Sequence, residues 1–249
     1  MASRSRLAAV VAASLGLASS ARAMGGADCQ PGDLVPVDAW LVQHPWPAGA
    51  TAPGAMVAAA CKPSPSDKTV LIVAAAYAQD QDKGKNLVVA LVDTKAMTVR
   101  SAFQGAVRED GTWSVAQGSL RIDTAPYDLA PGVRAIGIDV ASDPVAGTLV
   151  RDGVTATRSL FVADGPRLRL VLDGFVLATW RQDAGARPVS SSTNMAIDPH
   201  RTNGFADLRI TRTSTTAAGT KQDRTTLVYD GAHYAAGASW VRHEVEPQR

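Results

Sequence analysis

The imidazoles of this chain are His44, His200, His233 and His243. None stands in His-x-His or His-Glu-x-x-His spacing, so no two are set on one element to hold zinc. Glu109 and Asp110 are adjacent, and the other glutamates are Glu244 and Glu246. A glycosidase needs two carboxylates facing one cleft, about 5–10 Å apart. Neighbours along a strand point to opposite faces, so Glu109-Asp110 reads as a turn, and a hydrolase would have to draw its acids from separate strands. Asp80-x-Asp82-x-Gly84-x-Asn86 alternates oxygen ligands as the start of a calcium loop does. Its twelfth position is Leu91 where a bidentate Glu is needed, so it reads as a solvated hairpin turn. A Gly-x-Ser-x-Gly elbow, a Walker loop and a dinucleotide fingerprint are all missing from the sequence. The sequence therefore predicts no cofactor and no metal site.

Aromatic side chains are the remaining reagents: Trp40, Trp46, Trp113, Trp180 and Trp240, with Tyr229 and Tyr234. Exposed aromatics on a β-scaffold give large contact area at low entropic cost, which suits sugars and partner proteins. Most should pack in the core. Trp40 and Trp46 fall in a proline-rich stretch where burial is least assured. Together with His200, Tyr229, His233 and Tyr234, they form the candidate binding surface.

The elements that must position these residues read as strands. From Thr69 onward, apolar runs of strand length alternate with turn residues: Thr69–Ala78, Asn86–Val92, Met97–Val107, Ser119–Asp123 and Val133–Val140. The loop between the last two is expected to run from Ala125 to Gly132. Thr148–Val150, Thr155–Val162, Leu168–Leu172 and Phe175–Trp180 follow, separated by Asp152-Gly153, Asp164-Gly165 and Asp173-Gly174. Asn203-Gly204 and Asp230-Gly231 are flanked by Phe205–Thr211, Thr225–Tyr229 and His233–Val241. Glycine tolerates positive φ and Asp or Asn bonds nearby backbone, so each pair suits a tight hairpin. The expected fold is all-β, built of antiparallel hairpins in a sandwich or a small propeller-like arrangement.

Residues 24–68 differ. Pro31, Pro36, Pro45, Pro47, Pro53, Pro63 and Pro65 punctuate them, and each fixes φ and lacks a donor. An irregular strap is expected here, with a short strand at Val35–Val42 and a short helix or strand at Gly54–Ala60. A single β domain over 69–242 and a flexible tail over 243–249 complete the organisation.

Residues 1–23 read as a secretory signal peptide. Arg4 and Arg6 precede the uncharged run Leu7–Leu17, and Ala21-Arg22-Ala23 predicts cleavage before Met24. That run is shorter than the ~20 residues of a membrane span, and no later stretch reaches that length. Asp28 before Cys29 argues against a lipid anchor. Three of the 25 basic residues, Arg4, Arg6 and Arg22, leave with the signal, so 22 stand against 23 acids. With no basic cluster, nucleic acid is not expected as a ligand. Cys29 and Cys61 are the only cysteines, and in an oxidising compartment an even pair reads as one disulfide.

Asn203-Gly-Phe-Ala-Asp-Leu-Arg-Ile210, followed by Thr225-Thr-Leu-Val-Tyr-Asp-Gly-Ala-His-Tyr234, resembles a propeller blade of the FG-GAP kind. The acidic calcium loop of such blades does not carry over, because Asp198–Thr202 supplies only one acid. Ser119–Ile138 resembles a pattern in uncharacterised exported proteins of Gram-negative bacteria, which implies a compartment and no activity. The expectation is a periplasmic or secreted, non-enzymatic β-domain that binds a protein or a cell-envelope polysaccharide. The rival is a secreted hydrolase acting on an envelope polymer through Asp and Glu carboxylates.

Overall fold

The computed structural model describes residues 29–46, 54–79, 84–110, 112–142, 152–182, 189–237 and 245–247. The signal segment, Asp80 and Asp82, Thr148–Val150, Trp240 and His243 lie outside them. One helix, α1 (Pro31–Gln43), precedes β1 (Met56–Pro63), β2 (Val70–Ala78), β3 (Gly84–Asp93), β4 (Thr98–Arg108), β5 (Leu120–Ala130) and β6 (Val133–Ala141). Then come β7 (Asp152–Asp164), β8 (Arg167–Arg181), β9 (Val189–Thr202), β10 (Phe205–Thr216), β11 (Gly219–Leu227) and β12 (Val245–Pro247). The fold is all-β. The strands join in the order β1-β2-β3-β4-β8-β7-β6-β5, with β9, β10 and β11 continuing from the far end of β8 and β12 pairing β4. Every ladder is antiparallel except the β4–β8 contact, which is parallel and limited to Ala102↔Arg167. Lys62 on β1 donates to the Ile122 carbonyl on β5 (3.3 Å), so the two ends of the path approach through a side chain.

The sheet folds over so that two halves face each other. Ile72, Ala74, Ala76, Leu87, Val89 and Phe103 from one half meet Leu120, Ile122, Ile138, Val140, Phe161 and Leu168 from the other. Alternation along each strand sends the remaining residues outward. Leu71, Val73, Ala75 and Tyr77 of β2 face α1, whose Val37 and Leu41 are buried on them. That is why Val70–Ala78 reads as an unbroken apolar run: both faces are covered. On the opposite outer face Tyr127, Leu129, Leu160, Val171 and Phe175 pack under Met195, Leu208, Ile210 and Leu227 of β9 to β11. Four layers result, with the aliphatic core distributed between them.

The proline-rich segment is more regular than its composition implies. Val35–Val42 is helical, and β1 pairs β2 from Met56 to Pro63, so 24–68 is not an irregular strap lying outside the β domain. Pro31 occupies the first helical position, where its missing N–H is one of the unsatisfied donors anyway. Asp33 Oδ2 accepts from the Gln30 N–H (2.9 Å). Pro36 removes one helical bond, and burial of Pro36, Val37 and Leu41 offsets the cost. The Tyr77 hydroxyl donates to Asp38 (3.3 Å), adding a polar tie. At the other end, Val245–Pro247 of the expected free tail pairs with Val107–Gly105.

Several turn pairs also behave differently from expectation. Asp164-Gly165 closes the β7–β8 hairpin and Asn203-Gly204, both at positive φ (49° and 88°), closes β9–β10. Asp173-Gly174 instead lies inside β8 as a bulge opposite Ser159, whose hydroxyl accepts from the Gly174 N–H (3.0 Å). Gly153 pairs with Trp180, and a Cβ there would come within 3.2 Å of the indole nitrogen, so this glycine serves packing rather than turning. Strand β5 continues through Pro126 with register shifts where the proline lacks a donor. Past Tyr234, residues 235–237 are not strand.

Candidate functional site

A groove of about 790 Å³ runs along the side of the molecule where β4 meets β8. Since those strands pair at one position only, their edges leave an opening. Trp40 and His44 from the end of α1 line it, with Gln104 of β4, Arg167 and Arg169 of β8, and His233 from the loop after β11. The Ala102 N–H donates to the Pro166 carbonyl (3.1 Å) and the Ser101 hydroxyl to Gly165 (2.6 Å), which ties β4 to the β7–β8 turn.

Each wall is built by local rules. His44 stacks on Trp40 with ring centroids 4.2 Å apart and planes at 12°, as residues four apart on a helix can. The Gln104 side chain donates to the His44 carbonyl (2.8 Å), fixing the helix end to the sheet. Opposite, Asp230 Oδ1 accepts from the N–H groups of Ala232 and His233, each at 2.7 Å, and this turn places His233 at the groove. Those two bonds hold the Asp230 carboxyl below the usual range. Leu168 and Leu170 face the core, so alternation turns Arg167 and Arg169 outward. Arg169 Nη1 donates to the Tyr229 hydroxyl (2.6 Å) and to the Ala232 carbonyl (3.0 Å). Its guanidinium lies 5.7 Å from the Phe205 ring centroid and 5.9 Å from that of Tyr229. Asp164 is the one carboxylate among the described lining residues.

Comparison with protein-family models, curated proteins and solved structures found no match.

Of the six surface candidates from the sequence, Trp40 and His233 meet at the groove, although one precedes β1 and the other follows β11. Trp46 does not join them; it is buried against the outer face of β2 beside Tyr77, at 6.4 Å. Tyr229 and Tyr234 are buried too, and they act as supports. Tyr229 holds Arg169, while the Tyr234 N–H and hydroxyl donate to the carbonyls of Val171 (2.7 Å) and Ala206 (2.6 Å). His200 lies elsewhere, its Nδ1 2.5 Å from the buried Asp207 carboxylate. Arg167, Arg169 and Gln104 were missed by sequence reasoning. Their signal was the alternation Arg-Leu-Arg-Leu over 167–170, which marks two basic residues on one strand face.

Glu109 accepts from Lys85 (2.5 Å) and from the Val115 N–H (2.6 Å) and so closes a loop, as its turn reading implied. Among the described residues no group of three or more His, Cys, Asp and Glu could hold a metal ion. A second cavity of about 240 Å³ has Ile72, Leu91 and Ile136 on its floor and Asp67, Arg100 and Arg134 at its rim. Arg100 is engaged there by Asp67 (3.0 Å) and Asp93 (2.7 Å).

Asp93 accepts from the Ala96 and Lys95 N–H groups and from Arg100. These bonds, the Ala96 N–H foremost, lower its pKa from 3.8 to about 2. A carboxyl depressed in the folded state stabilises above its unfolded pKa and loses that contribution as pH falls through the folded one. Asp93→Asn is thus expected to melt below the wild type at neutral pH. The gap in Tm should narrow from about pH 4 downward and close near pH 2. Thermal melts across pH 2–7 read this directly, and a gap constant with pH would contradict it.

Proposed function

We propose that this chain is an exported, periplasmic or secreted β-domain that binds a cell-envelope polysaccharide in the β4–β8 groove without turning it over. The observation carrying this reading is the groove itself: an aromatic wall of Trp40 and His44 faces polar and basic side chains across an open channel. Such a lining suits a sugar chain, because ring faces take up apolar C–H surfaces while polar groups meet the hydroxyls. The Cys29–Cys61 disulfide suits an oxidising compartment, as does the signal-like start of the sequence. A carboxylate pair for glycoside hydrolysis would have to line the same channel, and among its described lining residues Asp164 is the one acid.

The test uses mature protein beginning at Met24, purified from periplasmic extract and titrated with soluble envelope polysaccharide while tryptophan fluorescence is followed. Saturable binding is expected, and Trp40→Ala should weaken it tenfold or more, roughly the effect of losing an aromatic anchor. Release of reducing ends from the polymer, or binding indifferent to Trp40→Ala, would reject the reading.

A further inference from the structure

We infer that the groove selects an acidic polysaccharide, holding a uronate carboxylate on Arg169 with Arg167 beside it. The inference rests on the groove being a glycan site and adds the ligand's charge and the group that reads it.

A guanidinium has five N–H donors in a planar fork. Arg169 Nη1 carries two of them, and both are used, one on the Tyr229 hydroxyl and one on the Ala232 carbonyl. The Nε and Nη2 donors have no partner among the described residues. The guanidinium lies against the Phe205 and Tyr229 rings, 5.7 Å and 5.9 Å from their centroids, and those rings are themselves stacked at 4.5 Å. One side of the guanidinium is thus immobilised by protein while the Nε/Nη2 side remains open. That side has the spacing that accepts both oxygens of a carboxylate in parallel. A lysine could not do this, since its ammonium is a point charge without a fork.

Arg167 lies two residues earlier on the same strand face, roughly 7 Å along it. It is exposed and has no side-chain partner among the described residues. Two guanidinium groups without an ion-pair partner among the described residues therefore line the channel, and Asp164, which pairs with Arg167 across the β7–β8 hairpin, is the one carboxylate among its described lining residues. The chain without its first 23 residues carries a slight excess of acid overall, so a pair of guanidinium groups in this groove does not follow from a basic composition. The stacked Trp40 and His44 supply the apolar platform for the sugar ring whose carboxylate the fork would take. Neutral glycan would leave both guanidinium groups without an anionic partner.

The experiment compares polygalacturonate, its methyl ester, a neutral glucan and inorganic phosphate, each titrated calorimetrically into mature wild type, Arg169→Lys and Arg167→Gln. The wild type should prefer the free acid to the ester by about 10- to 100-fold, as for a hydrogen bond to a charged group. Arg169→Lys keeps the charge and should lose most of that preference. Arg167→Gln breaks no side-chain hydrogen bond or ion pair among the described residues and should narrow it in part, with thermal unfolding unchanged. Equal binding of acid and ester, or a preference intact in both variants, overturns the inference and leaves the groove as a glycan site. Phosphate binding to the fork with no preference of the wild type for polygalacturonate over its ester would assign the fork to phosphate and overturn the carboxylate. Binding of none of the polymers would reject the glycan site and the acid selectivity together.

Discussion

Replacing Arg158 with methionine is expected to cost about 3–5 kcal/mol of folding stability, the penalty for stranding a buried charge after its partner is removed. Arg158 faces Asp139 directly across the β6–β7 ladder and binds it through Nε (2.6 Å) and Nη2 (2.8 Å). Its Nη1 reaches on to Asp123 (2.5 Å) and to the Tyr127 hydroxyl. The side chains of Arg158 and Asp139 are 13% and 11% exposed, so water screens them little. Burial opposes the charge on Arg158, yet the bonds to Asp139 outweigh it and raise the pKa above that of a free guanidinium.

The path of that side chain depends on Gly137, which sits opposite Asp123 in the register. A Cβ there would lie 3.0 Å from the Asp123 Cβ and 3.4 Å from Arg158 Cδ and Nε. Methionine fills much of the same space, so the loss isolates the missing charge from a cavity. Urea unfolding of Arg158→Met measures it. Adding Asp139→Leu and Asp123→Leu should recover most of the loss, because an apolar replacement of a whole buried ion set is often neutral or better. A drop under about 1 kcal/mol in the single variant would mean that water reaches both carboxylates and that the cluster holds nothing together.

This cluster also marks where reading the sequence stops. The strand pattern was legible because alternation and turn chemistry are local: β2, β3, β4 and β10 fall where the apolar runs and the Asn203-Gly204 turn place them, and β7 ends at Asp164-Gly165 as expected although it begins through Asp152-Gly153. Asp173-Gly174 misleads for a physical reason. A left-handed glycine serves a bulge as well as a hairpin, and only the partner strand decides between them. For α1, proline count outweighed better signals. Pro31 with Asp33 marks a helix start, and Leu34, Val37 and Leu41 repeat at helical spacing. Trp40 was picked out by its surroundings and His233 by its flanking turn, but no spacing within the chain joins them. Their meeting depends on β4 and β8 being neighbours, which is a property of the sheet order. For the same reason, nothing in the local sequence separates half-buried Trp40 from fully buried Trp46, or reveals that Tyr229 anchors an arginine.

Removing the disulfide, by Cys29→Ala with Cys61→Ala, is expected to destabilise the protein by about 3–4 kcal/mol, the loop-entropy value for a closed loop of roughly 33 residues. The bridge joins the residue just ahead of the α1 cap to β1, across a sequence separation of 32. For a domain of this size the shift in Tm is roughly 6–16 °C. The loop model predicts the loss because the reduced chain gains freedom when unfolded, and that freedom includes the Pro-rich segment between the two cysteines. The helix end adds a second readout. Apart from the bridge, α1 is held on the sheet by burial of Pro36, Val37 and Leu41, the Tyr77–Asp38 bond and the Gln104 cap. Trp40 and His44 ride on that helix, so a variant that lets it lift should lose ligand affinity while the rest of the sheet stays folded. Chemical unfolding followed by circular dichroism reports the sheet, and Trp40 fluorescence in an otherwise tryptophan-free background reports the helix. If the two transitions coincide, the bridge stabilises one cooperative unit. If the helix signal is lost first, the disulfide acts chiefly to keep one wall of the groove in place. A Tm within about 2 °C of the wild type in both signals would show that packing alone secures α1.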